Sequence, residues 1–105
     1  MQDDATGSTR DNRVTLAATI VASQPLRYTP AGIPALDCTL EHRSVQQEAG
    51  IGRKVECEMH AVAFGDVARA LSAVPAQSLL RCEGFLARRY RDGPALALHI
   101  TRFEI

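Results

Sequence analysis

Between Arg13 and Ser23 apolar side chains recur at every second position, with Val14, Leu16, Ala18, Ile20 and Ala22 on one face and Thr15, Thr19 and Val21 on the other. Alternation among so many β-branched residues predicts a strand, not a helix. Residues 24–34 hold Pro25, Pro30, Pro34 and Gly32, a turn-rich connection. A second strand starts near Ala35 and runs toward Arg43. A third spans roughly Arg53 to Phe64, with Val55, Cys57, Met59 and Ala61 on one face and Lys54, Glu56, Glu58 and His60 on the other. Val62 and Phe64 then fall out of phase, which predicts a bulge or sharp bend. Between these strands the alternation Leu36, Cys38, Leu40 gives way to Glu-His-Arg-Ser-Val-Gln-Gln-Glu-Ala-Gly. So polar a stretch predicts an arm that extends past the core and presents a surface to a partner. Gly50-Ile51-Gly52 is too short and isolated for a phosphate loop and reads as a source of flexibility in that arm.

Residues 65–74 have helical spacing at Val67, Ala70, Leu71 and Val74, with Asp66 as the cap and Pro75 just beyond. A fourth strand is expected from about Ser78 to Arg89 and a fifth from about Pro94 to Glu104, joined by a hairpin turn at Asp92-Gly93. Leu96, Leu98 and Ile100 share a face, and Phe103 and Ile105 mark a second phase slip. The order β-β-β-α-β-β predicts an all-β, five-stranded Greek-key OB-fold barrel with one short helix between the third and fourth strands. Such barrels often bind oligonucleotides or oligosaccharides, but a fold does not fix a function.

Length changes this picture little. The 105 residues fit a single domain, read as residues 12–105 behind a disordered lead-in at residues 1–11. Aromatic residues make up 5% of the chain and Trp is absent, so stacking groups are scarce. The net charge is zero, so any anion binding must come from local clustering. Cys38, Cys57 and Cys82 each occupy an apolar strand position, as expected of reduced, buried thiols in a cytoplasmic protein. No apolar run approaches membrane-spanning length, and residues 1–12 lack the apolar centre of a signal peptide.

Two basic clusters suit a polyanion, whose phosphates need cations and whose bases need flat partners. One is Arg88-Arg89-Tyr90-Arg91 at the last hairpin, the strongest local signal in the chain. The other is Arg43 with Arg53 and Lys54, flanking the arm. Arg27 and Tyr28 form a third, weaker patch. The competing reading of the hairpin is a solvated tip, and of the arm charges a guard against edge-to-edge aggregation. Phe64, Phe85 and Phe103 close apolar runs and are expected in the core. Cys57-x-x-His60 has metal-like spacing, but an offset of three along a strand points the two side chains to opposite faces, so no metal is expected. No cofactor is expected either. Glu56 and Glu58 lie on an exposed strand face, without the pocket that paired catalytic carboxylates need. No nucleophile motif is present, which argues against an enzyme.

Several blocks resemble the primosomal replication protein N (PriB) family, OB-fold relatives of bacterial single-stranded DNA-binding protein. They are residues 12–16 (NRVTL), 25–27 (PLR), 30–34 (PAGIP) and above all 40–50 (LEHRSVQQEAG), with weaker support from Cys57-Glu58-Met59 and Gly84-Phe85. The resemblance implies a homodimer that binds single-stranded DNA and catalyses nothing. It also implies two protein partners, the restart helicase (primosomal protein N′) and the primosome protein that loads the replicative helicase. The small apolar side chains of the first strand suit pairing with a second copy. This chain departs from the family pattern at the arm, where family aromatics are matched by Ile51 and Glu56, so binding is expected to rest mainly on arginine–phosphate contacts. Two rival readings are a general single-stranded DNA-binding protein and a protein-interaction OB domain with weak DNA contact. The first usually carries an acidic tail, which the closing Phe103-Glu104-Ile105 lacks. Glu56 and the missing Trp favour the second.

Overall fold

The computed structural model describes residues 10–105, so the lead-in expected over residues 1–11 lies outside the described residues except for Arg10 and Asp11. The elements are β1 (Val14–Ser23), β2 (Arg27–Tyr28), β3 (Pro34–Glu48), β4 (Ile51–Phe64), α1 (Asp66–Ser72), β5 (Leu79–Arg88) and β6 (Leu96–Glu104). Their order in the sheet is β1-β5-β6-β4-β3-β2, and a further pairing of β1 with β3 closes the five long strands into a barrel. β4 and β6 run parallel through Ala61↔Leu98 and Val62↔His99. This is the expected OB-fold barrel, with its helix between the third and fourth long strands. Among the described residues no helix is long and apolar enough to cross a membrane.

The barrel is filled from each of its five long strands. Ala18 and Ile20 of β1, Leu36, Cys38 and Leu40 of β3, Ala61 and Ala63 of β4, Leu80 and Cys82 of β5, and Leu98 and Ile100 of β6 are buried in one cluster. Ala68 and Leu71 place α1 against the same cluster. Strand alternation makes the inward set apolar and leaves the other face for function. Phe103 packs against the core as expected. The phase slip before it is a bulge: Glu83 pairs with Arg102 but Gly84 pairs with Ile100, so Thr101 is the extra residue.

Several sequence expectations need correction. The second strand does not end near Arg43. β3 and β4 form an unbroken ladder from Ala35↔Phe64 to Glu48↔Ile51, so the arm is a long hairpin. Its turn is Ala49-Gly50, both at positive φ (53° and 78°), the geometry of a tight two-residue hairpin turn. The glycine-flanked segment expected to supply flexibility is turn and strand. No bulge occurs near Val62. Ala61 and Ala63 face the core while Val62 is buried on the opposite face, so both sides of β4 are covered there. Asp92-Gly93 is not a two-residue turn, because residues 89–95 form a wider loop closed by Arg89 N–H donating to Ala95 O at 2.8 Å. Gly65, at φ 75°, occupies the helix N-cap in place of Asp66, which instead pairs with Arg69 at 3.1 Å. Cys57 is exposed, unlike Cys38 and Cys82. The β3–β4 hairpin has run past the core cluster by that point, so its core-facing position meets solvent.

Candidate nucleic-acid interface

The outward-facing residues of β4 and β6 meet the β5–β6 loop at an open cleft. Gln24, Arg27, Asp37 and His60 line one side, Arg88, Arg89 and Tyr90 the other, with Val62, Phe64, Ala97 and His99 between them. Two of the sequence-derived patches therefore converge. Arg27 precedes the proline turn and Arg88, Arg89 and Tyr90 lie at the end of β5, yet the barrel brings them to one cleft. Arg88 donates to the carbonyl of Arg91 at 2.9 Å, which shapes the loop. The Arg89 guanidinium lies 4.9 Å from the centroid of the Tyr90 ring, a cation–π contact that leaves Tyr90 57% exposed.

Electrostatics separates the candidates. Among the described residues no carboxylate pairs with Arg88, Arg89 or Arg91. Arg27 donates to Asp37 at 2.7 Å, and that partner raises its pKa. Arg43 reaches Glu41 at 3.4 Å, and Arg53 reaches Glu48 at 2.9 Å. Lys54 has no such pair among the described residues, but Arg53 and Lys54 project from opposite faces of β4. Moreover Arg43 pairs in register with Glu56, and Glu41 with Glu58, on the outer face of the hairpin. Three glutamates thus lie between the cleft and Lys54. The two basic clusters do not form one track, and among the described residues three arginines without carboxylate partners stand together only at Arg88, Arg89 and Arg91.

Two rings lie where the sequence does not place them. Phe64 and Phe85, expected in the core, are 43% and 39% exposed on the outer face. His99 stands between them, its ring centroid 4.8 Å from Phe85 at 14° and 6.0 Å from Phe64 at 28°. Phe85↔His99 and Val62↔His99 are register pairs, so three adjacent strands supply the row. The usable signal was parity. Phe64 shares its face with His60 and Val62, and Phe85 lies one residue from inward-facing Gly84. His60 lines the cleft with its pKa lowered by burial and by the nearby Arg89 charge, while Asp37 acts in the opposite direction.

His42 has a different role. Backbone pairing of β1 with β3 stops at Thr19↔Glu41, and beyond it the His42 Nδ1–H donates to the carbonyl of Ala17 at 2.6 Å. Its other ring nitrogen lies 2.7 Å from the Ser44 hydroxyl, which accepts from the Gln46 amide at 2.9 Å. The ring thereby ties the root of the arm to the barrel.

Comparison with known proteins agrees with the fold. Residues 12–102 match a family model described as another single-strand binding protein family. The chain is 39% identical over 91 residues to replication restart protein PriB of Bordetella pertussis, covering 87% of this chain and 85% of that one. The solved structure of PriB from Ralstonia solanacearum superposes with a TM-score of 0.83 at 38% identity, covering 90% of this chain and 97% of that one. The single-stranded DNA-binding protein of Thermus aquaticus matches with a TM-score of 0.70 at 26% identity, over 89% of this chain and 48% of that one.

Proposed function

Because this chain belongs to the replication restart protein PriB family, we propose that it is a single-stranded DNA-binding accessory protein of replication restart, acting in the cytoplasm without catalysing a reaction. The observation that carries this reading is the β5–β6 loop. Arg88 and Arg89 line a cleft beside the exposed Tyr90 ring, and neither they nor the nearby Arg91 has a carboxylate partner among the described residues. Strand phosphates meet these guanidiniums, and a base stacks on Tyr90. Anisotropy titration of a labelled oligothymidylate at two salt concentrations tests it. Affinity that drops steeply with salt is expected, and affinity indifferent to salt contradicts a phosphate-driven site.

The protein partners are the restart helicase and the helicase-loading primosome protein, as the family resemblance implies. The β3–β4 hairpin suits a protein better than DNA, because Glu41, Glu56 and Glu58 on its outer face repel phosphate. The chain acts as a homodimer. Supporting this, β1 pairs with β3 only from Thr19 onward, so the Val14–Ala18 stretch has one edge without a backbone partner from β3. A second copy pairing there competes with His42 for the Ala17 carbonyl. Sedimentation at micromolar concentration tests the dimer, and a monomer contradicts it.

A further inference from the structure

We infer that Phe64, His99 and Phe85 form a base-stacking shelf that carries a single strand from the loop cleft across β6 toward α1, away from the β3–β4 hairpin. The inference rests on the DNA-binding reading above and gives the strand its path. Three observations support it. The rings lie on adjacent strands of the outer face, and both phenylalanines are more than a third exposed. Aromatic surface kept in water serves packing poorly, whereas every base has a π-face to cover it. The shelf is continuous with the cleft, since Phe64 and His99 line both. Its remaining lining is Val62, Val67 of α1, Ile100 and Thr101, with no carboxylate. The hairpin face offers the reverse, three glutamates and no ring.

The shelf and the loop divide the work. Guanidiniums at the cleft hold phosphates, which sets the salt dependence. The rings hold bases, a contribution insensitive to salt. Substituting Phe85→Leu removes the ring while keeping an apolar side chain of similar reach, and the site is peripheral to the core cluster.

The experiment is anisotropy titration of the full chain, unaltered and with Phe85→Leu, against labelled oligothymidylate and an abasic oligonucleotide of equal length at two salt concentrations. Loss of one stacking partner predicts about tenfold weaker binding to oligothymidylate, an unchanged salt slope and no difference on the abasic strand. Phe85→Trp restores affinity, and its fluorescence is quenched as the strand binds. Equal affinities of the two chains for oligothymidylate overturn the shelf, as does an equal loss on the abasic strand. Should Phe85→Leu fail to fold, unquenched Phe85→Trp on a strand that binds overturns it equally. An unaltered chain that binds neither strand overturns the underlying reading as well.

Discussion

Arg43 and Glu56 stand directly opposite each other in the β3–β4 ladder, on the outer face of the hairpin. Arg43 also leans toward Glu41. The guanidinium that the sequence offers as a phosphate contact is thus set among carboxylates. Exposed pairs of this kind add little stability, but they cancel the local field a phosphate would meet.

The hairpin charges are therefore expected to contribute little to strand affinity. Replacing Arg43 and Lys54 together by alanine is expected to weaken oligonucleotide binding by no more than about threefold, since at most one or two phosphate contacts are lost. Glu56→Gln is expected to strengthen it slightly. Anisotropy at moderate salt measures both, and a collapse of binding in the double substitution would return the hairpin to the DNA site.

Binding is expected to take up a proton at His60. Burial and Arg89 favour the neutral ring in the free protein. With its folded pKa depressed, His60 contributes stability that is present above the ordinary value of about 6.5 and is lost as pH falls through the lower folded value. A phosphate beside the ring favours the imidazolium. Affinity for oligothymidylate should therefore rise as pH falls from about 8 toward 6, and His60→Gln should flatten that rise. A pH profile identical in the two chains would mean that no phosphate approaches His60.

Gly84 admits no side chain. A Cβ there falls on the carbonyl oxygen of His99, on the strand that bulges at Thr101. Both groups are backbone, so neither yields cheaply. Gly84→Ala is expected to destabilise the barrel by about 3 kcal/mol. Thermal unfolding measures this, and a melting temperature within a degree of the parent chain would contradict the packing described.

The thiols divide two to one. Burial pushes Cys38 and Cys82 up to about 11, with the neighbouring Cys82 thiol adding to the effect on Cys38. Cys57 is exposed. A maleimide at neutral pH should label one thiol quickly in the folded chain and all three after unfolding. Rapid labelling of all three in the folded chain would contradict the core assignment.

The fold was legible because each long strand writes its parity into the sequence. Leu36, Cys38 and Leu40 alternate, as do Leu96, Leu98 and Ile100, and the barrel follows from counting such runs. The arm was misread because hairpin backbone pairing continues after the core ends, where Ser44, Gln46 and Glu48 carry no hydrophobic signal. The bulge expected near Val62 did not exist because parity cannot distinguish a phase slip from a strand covered on both faces. The cationic loop was readable, since four adjacent residues declare themselves. The ring row was not, because Phe64, Phe85 and His99 come from three separate strands and meet only through register. Nor could the sequence reveal that Arg43 faces Glu56, which depends on a turn at Ala49-Gly50.

On the proposed reading, Arg88 and the adjoining β5–β6 loop hold the phosphates. The most direct test of that reading compares the salt dependence of oligothymidylate binding for the parent chain and for one carrying Arg88→Gln, Arg89→Gln and Arg91→Gln. At about 0.7 ion released per phosphate on single strands, losing three contacts should flatten the log–log slope by about 2 and weaken binding by more than about tenfold at low salt. A triple substitution that folds, yet keeps the parent slope and affinity, would contradict the account.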